Sequence, residues 1–350
     1  MAFPFWSPSK AGRAAGIVLT LCLGACRTPP VPPAPAPVVA PPAETPAEPP
    51  KPAAERDDEI IAAGQRFATG TRVITWKETG AYNAYVSAPT LPKNYDARLL
   101  PSLPGDKTPR KAIPAGLDAL RGMVDQLVLH YDNSGLSKLC FAALQQRGLS
   151  AHFLVDVDGT IYQTLDLQER ALHATTSNSR AIGIEIANFG AFPSKDARVL
   201  AKWYQPDKEG KTRLRIPPEI KETRIHTPGF TGRPARPEPV RGKIHGQELV
   251  QYDYTPEQYA ALAKLTAALC RVFPRLKCDY PRDTAGRPVL RKLPDAELAK
   301  YQGILGHWHI QENKIDPGPA FDWDRLIETA REIIKPPPAP EPSVASASSR

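Results

Sequence analysis

Residues 124–131 (VDQLVLHY) constrain the fold more than any other stretch. The run is mostly apolar and of strand length, the pattern of a strand buried on both faces. Such a strand needs cover on two sides, which points to an α/β domain around one central sheet. His130 falls at its C-terminal end, where Asp132-Asn133-Ser134-Gly135 breaks the strand and is placed to cap a helix. Residues 136–147 supply that helix, with Leu139, Cys140, Ala143 and Leu144 along one face.

Further strand signals follow. Asp158-Gly159 joins residues 152–157 (HFLVDV) to 160–165 (TIYQTL), the strongest short-range signal for a hairpin. His173 lies in a polar connection, and residues 181–188 (AIGIEIAN) read as another buried strand. Glu185 sits between isoleucines there, and a carboxylate so placed must face solvent, a partner or a site. Thr255-Pro256-Glu257 opens a helix with a threonine cap and proline in its first turn. Tyr259, Leu262, Leu265, Ala268 and Leu269 make its buried face, and residues 323–334 read as a closing helix. Residues 59–67 read as a short helix, 71–76 as a strand and 77–120 as irregular chain. Residues 192–250 show little periodicity and read as an insertion, either a basic lobe near the substrate or a solvated loop. Residues 195–243 hold thirteen Lys/Arg against six Asp/Glu.

The first residues read as an export signal, with Lys10 and Arg13 ahead of an apolar run at 14–23 too short to span a bilayer. Leu23-Gly24-Ala25-Cys26 resembles the bacterial lipobox, which makes Cys26 the lipidated mature N-terminus. The alternative is an ordinary signal peptide cut after Ala25. Arg27, rather than an aspartate, follows the cysteine; by resemblance to enterobacterial sorting this directs a lipoprotein to the periplasmic face of the outer membrane. The expected organisation is a signal at 1–25, a Pro-rich tether at 26–56 and an N-terminal extension at 57–120. A catalytic domain at 121–335 then carries the 192–250 insertion, and 336–350 form a disordered tail. Without residues 1–25 the formal charge falls from +8 to +6. That excess suits an anionic partner such as cell-wall polymer or lipid head groups, and no nucleic-acid motif is present. Cys270 and Cys278 flank a short connection suited to a disulfide in an oxidising compartment, while Cys140 reads as a buried thiol.

Residues 306–323 (GHWHIQENKIDPGPAFDW) concentrate the chemistry: two histidines, Lys314 and Asp316 in a segment stiffened by Pro317 and Pro319. Combined with His130, they suggest one zinc ion held by His130, His307 and Asp316 with water in the fourth position, the catalytic zinc pattern. His309 is the alternative to His307. No HExxH helix is present, which argues against a zinc peptidase of that kind.

Val128-Leu-His130-Tyr, Ala151-His-Phe-Leu, Asp158-Gly-Thr-Ile-Tyr162-Gln, Leu172-His173-Ala and Ile182-Gly-Ile-Glu185-Ile occur in that order. Gly306-His307 and Lys314-Ile-Asp316-Pro-Gly-Pro319 complete the series. Together, over about residues 120–335 less the insertion, they resemble the type-2 N-acetylmuramoyl-L-alanine amidases, which share their fold with peptidoglycan-recognition proteins. The resemblance implies a central mixed sheet flanked by helices, with a single zinc site at one end of the sheet. It implies that His130, His307 and Asp316 hold Zn2+, that Glu185 moves the proton and that Lys314 stabilises the oxyanion. Tyr162 is implied to assist. The substrate implied is peptidoglycan or its muropeptides, cut between N-acetylmuramic acid and L-alanine. The rival is a peptidoglycan-binding module without catalysis, and the loop from His307 to Asp316 is slightly shorter than in relatives. His173 reads as a substrate-cleft wall or as structural, His152 as a core histidine, and His226 and His245 as exposed. Trp308, Phe321 and Trp323 read as packing anchors, and Glu185 has an ion-pair role as its alternative.

Overall fold

The structure, a computed structural model, describes residues 56–86, 90–101 and 108–335. The export signal, Cys26, the tether up to residue 55 and the tail at 336–350 lie outside the described residues. No described helix is long and apolar enough to cross a membrane.

The apolar runs assemble into a six-stranded mixed sheet. Its order is Gly303–Gly306, Gln126–Tyr131, Ala181–Ile186, Phe153–Val155, Ile161–Gln163, Val73–Thr75. Neighbours run parallel except in the hairpin that Asp158-Gly159 turns, between Phe153–Val155 and Ile161–Gln163. Both faces of the central strands are covered: Leu127 and Leu129 pack with Leu262, Leu265 and Leu269 of the helix Pro256–Val272. Val128, between them, packs with Leu305, Leu298 and Ile310 instead. Each such side chain contributes roughly 1.5–3 kcal/mol on burial, so these strands anchor the molecule. Thr255 caps the Pro256–Val272 helix as expected: its Oγ1 accepts from Gln258 N at 3.1 Å, and Gln258 Oε1 accepts from Thr255 N at 2.9 Å. The closing helix is Trp323–Ile334, and Trp308, Phe321 and Trp323 are buried against one another.

Four expectations need correction. Residues 59–67 are not helical but form an antiparallel hairpin, Glu59–Ala62 with Gln65–Ala68. Tertiary contacts override helix propensity here: Asp166 accepts from the turn amides of Ala63 at 2.7 Å and Gly64 at 2.8 Å. Gln163 exchanges two hydrogen bonds with the backbone of Ile61, at 2.8 and 2.7 Å. Asp132 does not cap the helix Ser137–Gln146, whose N-cap Leu136 makes no side-chain bond. Its carboxylate instead closes its own turn, accepting from Ser134 N at 2.9 Å, Gly135 N at 2.8 Å and Asn188 N at 3.1 Å. The 192–250 region holds regular structure, including the hairpin Val240–Ile244 with Gln247–Gln251. His245 and Gly246 turn it with φ of 51° and 77°. Cys270 and Cys278 are free thiols whose side chains contact each other.

The chain before residue 120 packs against the sheet through Arg98, which is fully buried. Its guanidinium donates to the carbonyls of Leu167 at 3.0 Å, Ser179 at 3.1 Å and Ala181 at 3.0 Å. Burial pushes its pKa down to about 9. Beside it, His152 is a core residue as expected: Nδ1 accepts from Gly183 N at 3.0 Å, and Nε2–H donates to Glu169 O at 3.0 Å. Burial first and the Arg98 charge second push this imidazole down to about 3.

That depression sets a pH signature. The unfolded imidazole protonates near its ordinary 6.5, before the folded one does. The stability His152 contributes is therefore whole at neutral pH and is lost as pH falls from about 6.5 towards about 3, by up to about 1.4 kcal/mol per unit. In urea titrations at successive pH values, His152→Gln should show a shallower fall in unfolding free energy between pH ~6.5 and ~4 than the parent. Parallel slopes would contradict a buried neutral His152.

Candidate metal centre

The site forms at the carboxyl ends of three adjacent parallel strands. His130 is the penultimate residue of Gln126–Tyr131, and Glu185 is its register partner on Ala181–Ile186. His307 follows directly on Gly303–Gly306, in a single turn of 3-10 helix. The loop then returns Asp316 to face both histidines. Asp316 Oδ2 lies 2.8 Å from His130 Nδ1 and 3.0 Å from His307 Nδ1. The two imidazole rings stand 4.5 Å apart. These three residues are buried, and their potential ligand atoms lie within 4.8 Å of one another.

The outward nitrogens have partners of their own. His307 Nε2–H donates to Gln311 Oε1 at 2.8 Å, so the Nδ1 of a neutral His307 presents its lone pair to Asp316. His130 Nε2 lies 3.0 Å from His173 Nδ1. With the proton on His130 Nε2, both Nδ1 lone pairs and a carboxylate oxygen converge, an arrangement that is repulsive unless a cation sits among them. Burial, reinforced by His307, pushes His130 down to about 4, so it is neutral and able to ligate at physiological pH. Burial opposes charge on Asp316, but His307 and His130 outweigh it and hold the carboxyl well below its usual range. Two imidazoles and a carboxylate form a donor set that fits a divalent metal ion.

Around this group opens a pocket of about 430 Å³ lined by His130, His173, Glu185, His307, Lys314 and Asp316, among others. Glu185 is buried, and its Oε2 has no hydrogen-bond partner. Burial, then the charges of Asp316 and Asp132, push its pKa well above that of an ordinary carboxyl. Among the described residues it has no ion-pair partner, so it is a candidate for proton transfer. A larger hollow, about 1370 Å³, contains none of these six residues.

The structure thus brings together His130, His307, Asp316, Glu185, Lys314 and His173, and leaves out Tyr162. The Tyr162 ring packs on Tyr82 with centroids 4.6 Å apart, and its hydroxyl donates to Arg224 O at 3.2 Å. His173 is half-buried in the lining of this pocket, next to His130, and a Cβ on Gly183 would stand 2.7 Å from its ring. His309 has both nitrogens committed to backbone, Nδ1 accepting from Gly306 N at 2.8 Å and Nε2–H donating to Val289 O at 2.7 Å. His226 is exposed as expected, whereas His245 is half-buried, and its Nε2–H donates to Lys314 O at 3.0 Å. Sequence reasoning missed Gln311, although its place one helical turn after His307 is where a partner for that ring would stand. Arg147 and Asn313, also in the pocket lining, carried no motif.

Two imidazoles and a carboxylate at the carboxyl edge of a mixed sheet, with a buried acid beside them, define an α/β protein with a group that could hold a metal ion. A profile of the Amidase_2 family, described as N-acetylmuramoyl-L-alanine amidase, matches residues 120–319, and the chain belongs to that family. Among solved structures, a selenomethionine AmpD derivative is 20% identical with a TM-score of 0.32, covering 74% of this chain and 99% of its own. AmiD from E. coli, bound to its substrate anhydro-N-acetylmuramic acid-L-Ala-D-γ-Glu-L-Lys, is 18% identical with a TM-score of 0.33. That match covers 66% of this chain and 65% of AmiD. The Apis mellifera peptidoglycan-recognition protein PGRP-SA is 16% identical over 37% of this chain and 70% of its own, with a TM-score of 0.20. No curated protein sequence matches the chain.

The two histidines of the loop are separable by experiment. His307→Gln should lose stoichiometric divalent metal by elemental analysis, and His309→Gln, if natively folded by circular dichroism, should retain it. Metal lost from folded His309→Gln but kept by His307→Gln would reverse the assignment.

Proposed function

We propose that the protein is a zinc-dependent N-acetylmuramoyl-L-alanine amidase that hydrolyses the amide between the lactyl group of N-acetylmuramic acid and L-alanine. The substrate is peptidoglycan or its muropeptide fragments. His130, His307 and Asp316 would hold the zinc. When bound there, zinc supplies Lewis acidity, polarising the scissile carbonyl and lowering the pKa of a water to about 7. The residues around it divide the remaining work. Glu185 takes a proton from the attacking water and passes it to the leaving amine nitrogen of alanine. Lys314 offers an ammonium to the negative charge that grows on the carbonyl oxygen. His173 and Gln311 keep the protons of the ligand imidazoles on their outward nitrogens.

The observation that carries this reading is the Glu185 carboxyl: buried, without a hydrogen-bond partner, and in register with His130 beside the metal donor set. The family to which the chain belongs supports peptidoglycan or its fragments as the substrate. We further propose that the chain is exported and tethered through a lipidated Cys26 to the periplasmic face of the outer membrane, where it meets cell-wall polymer. Tyr162 is given no catalytic role.

Protein lacking residues 1–26 should release peptide from purified sacculi, with mass spectra showing free N-terminal alanine and glycan strands without peptide. Glu185→Gln should cut the rate by about 10²–10⁴-fold while keeping its zinc. Zinc-loaded parent protein that binds sacculi without releasing peptide would leave a binding module in place of the enzyme.

A further inference from the structure

The side chain of Gln251 ends the strand Gln247–Gln251 and is fully buried. Its Nε2 donates to the Pro317 carbonyl at 3.1 Å and to Asn188 Oδ1 at 3.2 Å. Its Oε1 accepts from Ala320 N at 3.0 Å. One amide thus ties both sides of Gly318, immediately after Asp316. Gly318 has a φ of +88°, and a Cβ there would stand 2.1 Å from Gln251 Oε1, so only glycine lets the amide this close. Tyr254 OH donates to the same Pro317 carbonyl at 2.7 Å, and Arg236, paired with Asp253, donates to Ala320 O.

The other end of the same hairpin reaches the same loop. His245, in the turn, donates to the Lys314 carbonyl. Gly242, midway, lies against Pro319: a Cβ added to it would come within 2.7 Å of Pro319 Cβ. The hairpin therefore touches the loop at Lys314, Pro317, Pro319 and Ala320, on both sides of Asp316.

We propose that the hairpin at 240–251 is a brace for the metal centre, with Gln251 a positioning residue for Asp316 and His245 a positioning residue for Lys314. The inference rests on the zinc-amidase reading above. A ligating carboxylate on a loop keeps its place only if the loop backbone is fixed, and outer partners of this kind tune metal affinity. Gln251 fixes the backbone on the C-terminal side of the ligand and His245 fixes it on the N-terminal side. A strand-turn-strand on an independent segment is stiffer than the loop it holds. The insertion is thereby part of the catalytic apparatus.

The test measures Zn2+ affinity by chelator competition, together with kcat and KM on a muropeptide, for the full chain and four variants. Gln251→Leu should weaken zinc about 10–100-fold. Gln251→Glu, which retains an acceptor for Ala320 N but no donor for Pro317 O, should fall between Gln251→Leu and the parent; it also carries the test if Gln251→Leu does not fold. His245→Asn suits the positive φ of the turn but is too short to reach Lys314 O. It should lower kcat with KM and zinc affinity held. Leu262→Ala, a core truncation in the Pro256–Val272 helix, should lower Tm and leave zinc affinity and kcat unchanged. Folded Gln251 variants with zinc affinity within about twofold of the parent would overturn the brace, as would an equal loss in Leu262→Ala. Parent protein that binds no zinc would overturn the zinc reading itself, a result told apart by the parent alone.

Discussion

The convergence of His130 and His307 on one oxygen of Asp316 is the contact on which the rest of the molecule depends. Three buried ligating groups at 2.8 and 3.0 Å form a costly arrangement, because desolvation disfavours the carboxylate charge and lone pairs face one another. It persists only if each group is held from behind. Gln311 holds His307, His173 stands behind His130, and the loop that carries Asp316 is bonded at the backbone of Pro317, so that the carboxylate faces only the two imidazoles. This is preorganisation in a physical sense: the supporting bonds are made in the folded chain and need no rearrangement when substrate arrives.

Parallel pairing explains why the supporting groups come from such distant positions. Three neighbouring strands end on the same edge, and the register sets His130 beside Glu185. A slip of one residue in either strand would turn one of these side chains to the opposite face. The apolar residues on both faces of those strands therefore do two jobs. They stabilise the sheet, and the register they lock sets Glu185 level with His130, 55 residues apart in the chain.

Much of this was legible before the structure. The apolar runs of the central strands, the Asp158-Gly159 hairpin and the Thr255 cap follow local rules, and local rules survive into the fold. His130, His307, Asp316, Glu185 and Lys314 were likewise readable, because their motifs are compact and stand at strand ends. What failed depended on contacts between distant segments. The 59–68 hairpin owes its turn to Asp166, about a hundred residues away. The insertion hairpin turns on His245-Gly246, a pair without the usual asparagine or aspartate, so its alternating Val240-Arg-Gly-Lys-Ile244 passed as irregular chain. The position of Tyr162 was not legible from its motif: it lies outside the lining of the pocket, and its hydroxyl donates to Arg224 O.

The Arg98 side chain marks where the fold really begins. The match to the family starts at residue 120, yet the carbonyls of Leu167, Ser179 and Ala181, inside the matched region, are satisfied by a guanidinium from outside it. A guanidinium buried among carbonyls, with the carboxylates of Glu169 and Asp166 also favouring its charge, is stable only while those groups surround it. The dependence is mutual, since those carbonyls would be stranded without it. The residues matched to the family and the chain before them thus share one buried hydrogen-bond network, and the edge of the match is not an edge of packing.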